Sequence, residues 1–388
     1  MMSVLVEADS FARAVVVRLL DGSLQGALAV ALVWAICASC RSAPPSVRAW
    51  LWWLASFKLV IALLALPSIA IPVLPSTPHD AARTASERVV DTAALALPVE
   101  TIKQLPKAVL PPAATQAADS LGWRISALLL VMGVFVAWWA AVLALQSLRL
   151  LTTHRSLKAL VARAVPADEH SRNETRRLAE LLRLRRVPEV RLSDEITSPQ
   201  VIGFRQPCVL LPAAMSSFSE DERRMMLCHE LTHVRRRDLV LGWVPALAER
   251  AFFFHPLARF AAREYVLARE AACDASVLRA LSIEPERYGR LLVRLGIYGG
   301  APALSAPGAS SSLSLLRRRL VMLHAGSAAS GWRGRLWVAG IVLTVALVPI
   351  HLTARDTPDV AVSRVLPAAH AVRVTVAALI PPLTGQPV

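Results

Sequence analysis

His229-Glu230-Leu231-Thr232-His233 is the stretch from which the rest of this chain is read. On a helix, residues four apart share one face, so both imidazoles can reach a single metal ion. Glu230, one position on from His229, can then sit beside the water that the metal activates and take its proton. Zinc brings the pKa of such a water near neutrality, which supplies a nucleophile for peptide hydrolysis. The competing reading is a polar helix face that carries two unrelated histidines. Local context bears on the choice. Ser219-Glu220-Asp221-Glu222 has the spacing of a capping box, which predicts a helix start just upstream. Met225, Met226, Leu227, Cys228 and Leu231 give that helix an apolar face beside the histidines, so the motif is predicted to ride on a rigid element.

Working outward, a charged stretch at Arg172–Arg186 predicts a helix that ends before Val187-Pro188. Glu189–Leu192, Val201–Phe204 and Cys208–Leu211 are short β-like runs, punctuated by Gly203 and Pro207, and predict a small sheet or hairpin. Downstream, Leu239–Phe254 predicts a second helix, ended by His255-Pro256, and Leu257–Ser282 a third. Two histidines leave zinc short of a protein ligand. The downstream candidates are His255, Glu264, Glu270 and Asp274. Glu270 and Asp274 lie four apart on one face, a spacing that can place one on the metal and the other against a ligand histidine. The same spacing also suits helical ion pairs with Arg263 and Arg269 on a solvated face. His255, Arg263 and Tyr265 are candidates for stabilising the oxyanion formed as water adds to a carbonyl, and nothing in the sequence selects among them. Cys228 and Cys273 adjoin candidate site residues but point away from them on their helices, so both read as small buried residues.

The whole chain is unusually apolar: 388 residues, 55% hydrophobic, with a mean hydropathy of +0.48. Such excess points to membrane spans, each needing about 20 mostly apolar residues. Four segments qualify: residues 23–40, 49–74, 123–148 and 333–353. The net charge of +15 invites a nucleic-acid reading, but no basic motif interleaved with aromatics accompanies the arginines, so direct nucleic-acid binding is not expected. Basic residues retained on the cytosolic side explain the excess more simply. Arg41 and Arg48 follow the first span, Arg149, Arg155 and Lys158 the third, and Arg317, Arg318, Arg319, Arg333 and Arg335 precede the fourth. That pattern places residues 149–332 in the cytosol, with both termini and the 75–121 loop outside. Residues 1–20 carry no small-residue cleavage site, so the N-terminus is expected to be retained. The 75–121 loop is rich in Ala, Pro, Thr and Ser, with a short amphipathic helix expected near Ala81–Leu97. Cys37-Ala38-Ser39-Cys40 has redox-motif spacing but lies at a span end, where small residues filling a helix end are the simpler account.

His229 through Asp238, followed by Arg269-Glu270-Ala271-Ala272-Cys273-Asp274, resembles the BlaR/MecR-type membrane metallopeptidases of bacteria. Those are the transducers that sense beta-lactams and cleave a transcriptional repressor. Ser198 through Phe204 and Pro207 through Pro212 resemble the strand segment before that family's zinc helix, and Phe254-His255-Pro256-Leu257 its inter-helix connection. The resemblance covers roughly Arg149 to Leu323. It implies a mainly α chain: four transmembrane helices plus a cytosolic gluzincin-type α+β metalloprotease domain with a small sheet, in a bacterial inner membrane. It implies one zinc ion held by His229, His233 and Glu270, Glu230 as general base and Asp274 as an outer partner. Val201, Ile202, Gly203 and Phe204 become the edge on which a substrate backbone pairs, and a cytosolic repressor becomes the expected substrate. Relatives carry a penicillin-binding sensor domain after the fourth span. Here that region is only Thr353–Val388, without a Ser-x-x-Lys acylation motif, so an external partner or ligand is expected in its place. HtpX and CAAX-processing proteases share a zinc helix and a downstream Glu, which keeps membrane-protein quality control as an alternative. A non-catalytic receptor or scaffold keeping the fold is the other.

Overall fold

The computed structural model describes residues 2–40, 43–63, 69–74, 112–298, 309–324, 340 and 350–354. In chain order these form α1 (Met2–Ser39), α2 (Pro45–Ala62), β1 (Ile69–Leu74), α3 (Pro112–Arg163), β2 (Val165–Pro166) and α4 (Glu169–Leu181). Then come β3 (Glu189–Ser193), β4 (Gln200–Ile202), β5 (Cys208–Pro212), a 3-10 turn at Ala213–Ser217, and α5 (Glu220–Arg236), which carries the two histidines. The remainder is α6 (Asp238–Leu241), α7 (Trp243–Ala251), α8 (Pro256–Leu281), α9 (Pro285–Tyr298), α10 (Ala309–His324) and β6 (Ile350–Ala354). The chain is thus mainly helical with a small mixed sheet.

It divides into two compact units, residues 1–66 with 116–347 and residues 67–115 with 348–388. In the second, β1 and β6 pair in parallel from Ile69↔Ile350 to Leu74↔Ala354, with a register shift between Pro72 and Leu74. This corrects two expected spans. Residues 69–74 do not continue the second apolar helix, because Pro72 cannot sit in a helix interior and the β-branched Ile69, Ile71 and Val73 favour a strand. The helical part stops at Ala62. Residues 350–353 of the expected fourth span are likewise strand. Its other residues, Gly340 apart, lie outside the described residues, as do the helix expected at Ala81–Leu97 and the tail beyond Ala354.

Among the described residues, two helices are long and apolar enough to cross a membrane, Phe11–Ser39 and Ala127–Arg163. The first begins well before the expected Ser23. The second belongs to the 52-residue α3, about 78 Å long at ~1.5 Å per residue and far longer than a bilayer of roughly 30 Å requires. No side chain in its most apolar window is buried. Helix α2 differs: Leu51, Trp52, Ala55 and Leu59 are buried against its neighbours. Its approach to α1 is so close that a Cβ on Gly26 would stand 2.1 Å from Leu59 Cδ2.

The site-bearing half is built around a four-stranded sheet in the order β2-β3-β5-β4, parallel only between β3 and β5. Side chains alternate across a strand, and β5 uses both faces. Val209 and Leu211 enter the core with Leu178, Leu182, Met226 and Leu231, while Cys208 and Leu210 pack on Leu160 at the end of α3 and on Ala164 just after it. The end of α3 therefore docks on one face of the sheet and the histidine helix on the other. Ser219 caps that helix as expected: its hydroxyl accepts from Glu222 N, and its own N–H donates to Glu222 Oε2 at 2.8 Å. The expected Leu239–Phe254 helix is broken at Gly242 into α6 and α7, with Pro245 in the first turn of α7, where its missing N–H costs little. Leu231 is fully buried between the sheet and the histidines. Leu231→Ala is expected to cost about 2–5 kcal/mol. A clear fall in the thermal unfolding midpoint of the purified protein would show it, and an unchanged midpoint would refute this packing.

Candidate active site

Helix α5 delivers His229 and His233 one turn apart, with ring centroids 4.9 Å from each other. Helix α8 crosses it and delivers Glu270. The two Nε2 atoms stand 3.2 Å apart, and Glu270 Oε2 lies 3.4 Å from the first and 3.8 Å from the second. Donors bound tetrahedrally to zinc at about 2.0–2.2 Å lie roughly 3.3–3.6 Å from one another, so these spacings suit one ion. The three side chains are 12%, 14% and 12% exposed, enough for one open side.

The outward nitrogens decide what the inward ones offer. His233 Nδ1 is 2.9 Å from Asp238 Oδ2. His229 Nδ1 is 3.3 Å from Asp274 Oδ1 and 3.0 Å from the Tyr288 hydroxyl, which itself donates to Asp274 at 2.9 Å. With Nδ1–H turned to these acceptors, each Nε2 presents a lone pair to the common centre. Arg269 donates twice to Glu270 Oε1, leaving Oε2 as the oxygen that faces the imidazoles. Two lone pairs and a carboxylate oxygen then share one small space, an arrangement that repels itself unless a cation sits within it. Without one, a proton does the same work. Burial opposes charging His229, but Asp274 and Glu270 outweigh it, and the imidazolium pKa is pushed up to about 10.

The carboxylates divide into two kinds. Burial acts against ionising Glu270, Asp274 and Asp238, yet each is held below the ordinary range: Glu270 by His233 and Arg269, Asp274 by Arg319 and His229, Asp238 by His233 and Arg236. Glu230 moves the other way, pushed up by burial despite the neighbouring imidazoles. Among the described residues, no side chain bonds to its carboxylate. Carboxylates pushed apart in this way separate structural or ligating roles from proton transfer.

Of the residues picked from sequence, the structure brings His229, Glu230, His233, Glu270 and Asp274 together. Val201 and Ile202 lie on β4, the sheet edge that packs beside α5. Gly203 leaves that strand at φ +102°, where a Cβ would meet Gln206 O at 2.6 Å, and Phe204 turns outward onto Trp243 at 5.4 Å. His255 is the N-cap of α8, about 22 Å along the axis from Glu270 at ~1.5 Å per residue, and Arg263 is exposed. Tyr265 is buried in the core shared by α1, α2 and α8. Cys273 lies 3.4 Å from His233 Nδ1, behind the ring, its thiol pushed well up by burial and by nearby Glu270. His233, Asp238 and Cys273 form a second group with ligand spacing, but Nδ1 there is engaged with Asp238 and the thiol keeps its proton.

Sequence reasoning missed three contributors. Asp238 reaches back to His233 because Arg237 adopts a left-handed conformation, φ 57°, that ends α5 and turns the chain sharply. Tyr288 arrives from α9. Arg319 of α10 donates to both oxygens of Asp274, at 2.9 and 2.6 Å, and stands 3.7 Å from Glu270 Oε2. Asp238→Asn and Asp274→Asn are each expected to weaken metal binding about 10–100-fold, measured by competition with a coloured chelator. Wild-type affinity in both would detach these carboxylates from the site.

The sequence model of the BlaR1 peptidase M56 family matches residues 17–323. Regulatory protein BlaR1 of Bacillus licheniformis is 31% identical over 129 residues, 32% of this chain and 22% of that protein. The methicillin resistance mecR1 proteins of Staphylococcus aureus (strain Mu50 / ATCC 700699) and Staphylococcus epidermidis are 27% identical over 107 residues, 27% of this chain and 18% of each. The chain spans about a fifth of the length of these relatives. The matched region runs from α1 into α10 and takes in every side chain around the paired imidazoles, and on that match this chain belongs to the BlaR1 peptidase M56 family.

Proposed function

We propose that this chain is a zinc endopeptidase of a bacterial inner membrane that cleaves a cytosolic transcriptional repressor or similar regulator in transmembrane signalling. The observation that carries this reading is the convergence of His229 Nε2, His233 Nε2 and Glu270 Oε2, beside the Glu230 carboxylate, to which no side chain among the described residues bonds. His229, His233 and Glu270 would hold the ion. A zinc ion so held supplies a water that ionises near neutral pH and polarises the scissile carbonyl. Asp238, Asp274 and Tyr288 orient the imidazoles, and Arg269 fixes which oxygen of Glu270 faces them. Glu230 accepts the proton from the attacking water. Its burial favours the protonated form, so it holds that proton until the leaving amine takes it. The exposed edge of β4, alongside α5, is where an extended peptide would pair its backbone with Gln200–Ile202.

The arginine distribution supports the orientation, with residues 149–332 in the cytosol and both termini outside, where an external partner or ligand would act. The signalling role is carried over from the regulatory relatives. Proteomes of cells carrying the native chain and the Glu230→Gln form test it. One regulator, accumulating only with the variant, is the expected result. Broad accumulation of damaged membrane proteins instead would replace signalling by quality control.

A further inference from the structure

A cavity of about 940 Å³, separate from the histidine site, opens between α1, α2, α8 and α10. Its walls are apolar: Trp34, Trp52, Phe260, Leu267, Leu313 and Val321. Its rim is basic, with Arg48, Arg317 and Arg318 against one carboxylate, Glu264. That carboxylate is already engaged, since Arg318 donates to both of its oxygens at 2.6 and 2.9 Å. Arg48 donates to the Cys37 carbonyl at 3.0 Å, closing the end of α1, and Arg317 makes no salt bridge among the described residues. The rim therefore keeps a surplus of positive charge over an apolar chamber.

We propose that this cavity binds an anionic phospholipid, with its phosphate at the arginine rim and an acyl chain between α1 and α10. Three further observations point to that occupant rather than to a soluble anion or a peptide. Trp34, Leu313 and Val321 are 57%, 64% and 63% exposed, so the chamber opens sideways along the apolar α1 and not toward water alone. Trp34, in the last turns of α1, and the exposed Trp50, two residues after Arg48 in α2, suit the level at which aromatic side chains meet lipid headgroups. The outer face of α10 sets Leu313 and Val321 around Arg317, the pattern of a helix lying in the headgroup layer. Basic pockets between membrane helices on the cytosolic side are suited to anionic headgroups. The three consecutive arginines of α10 divide the work: Arg317 and Arg318 line the chamber, and Arg319 turns inward to Asp274. One helix thus touches both the lipid chamber and the shell of the histidine site.

The inference rests on the bilayer reading of the chain and not on peptidase chemistry, so binding is read on the full chain carrying Glu230→Gln. Detergent-purified protein is titrated with dioleoyl phosphatidylglycerol or dioleoyl phosphatidylcholine and weighed by native mass spectrometry. Phosphatidylglycerol is expected to bind at least about tenfold tighter. Arg317→Gln is expected to weaken it about fivefold, as one interfacial basic residue contributes. Ala38→Trp fills the chamber from an exposed position of α1 and is expected to abolish binding with an unchanged melting temperature. Equal retention of the two lipids, or displacement of phosphatidylglycerol by excess inorganic phosphate, overturns the proposal. So does wild-type affinity in Ala38→Trp. If Ala38→Trp fails to fold, the lipid preference and Arg317→Gln decide the matter alone. Loss of zinc or of cleavage in other variants bears on the peptidase reading and leaves this one intact.

Discussion

Glu230→Gln is expected to keep one zinc per chain and to lose peptide cleavage by about two to four orders of magnitude. The amide has nearly the volume of the carboxyl, and Glu230 bonds to no described side chain, so replacing it breaks no structural contact. The metal donors are also untouched: Nε2 of each histidine and Oε2 of Glu270 are oriented by Asp238, Asp274, Tyr288 and Arg269, none of which depends on residue 230. What disappears is the group that takes a proton from water and later returns one to the amine. Burial already disfavours charge at this position, so a neutral amide is tolerated there. Zinc content by atomic absorption, together with turnover of a quenched peptide library, separates the two effects. Substantial cleavage by a fully metallated variant would remove Glu230 from proton transfer, and loss of zinc in the variant would make it a structural residue.

Much of this site was legible from spacing because its parts are local. The histidines lie four apart on a helix whose capping box is four residues long, and Glu270 and Asp274 repeat the interval on α8. Strands β3, β4 and β5 were legible for the same reason, apart from the point where β4 ends: Gly203 takes a conformation closed to other residues, and Phe204 leaves the edge, whereas the two-residue β2 was not foreseen. What spacing does not carry is the meeting of remote helices. Arg319 reads in the sequence as one more positive residue before an apolar segment, yet its guanidinium is bonded to Asp274 across 45 residues of chain. Tyr288 gives no sequence signal beyond being a tyrosine on an amphipathic helix. The membrane segments show the converse limit. Hydropathy measures how apolar a stretch is and not its backbone, so residues 69–74 and 350–353 counted toward helices although their β-branched residues favour strands and Pro72 opposes a helix interior.

Glu270→Gln is expected to weaken zinc binding sharply while leaving the fold in place. The negative charge of Glu270 is what makes three converging donors a cation site and not merely two imidazoles. If a total of roughly 10–16 kcal/mol is shared by four ligands, each contributes about 2.5–4 kcal/mol, so losing one weakens binding by up to several hundredfold. The position also sits between two guanidinium groups: Arg269 donates to Oε1 at 2.8 Å, and Arg319 lies 3.7 Å from Oε2. Alanine would leave both cations facing each other across a gap, and its instability would hide the loss of metal. Glutamine keeps an oxygen for Arg269 and fills the space, which makes it the informative change. Its amide N–H₂ then faces the imidazoles and donates to a lone pair that would otherwise bind the ion. Chelator competition should show affinity falling by up to several hundredfold, with a melting temperature in the metal-free state close to that of metal-free wild type. Retention of tight zinc by Glu270→Gln would mean that another acceptor completes the coordination, and the ligand set proposed for α5 and α8 would have to be redrawn.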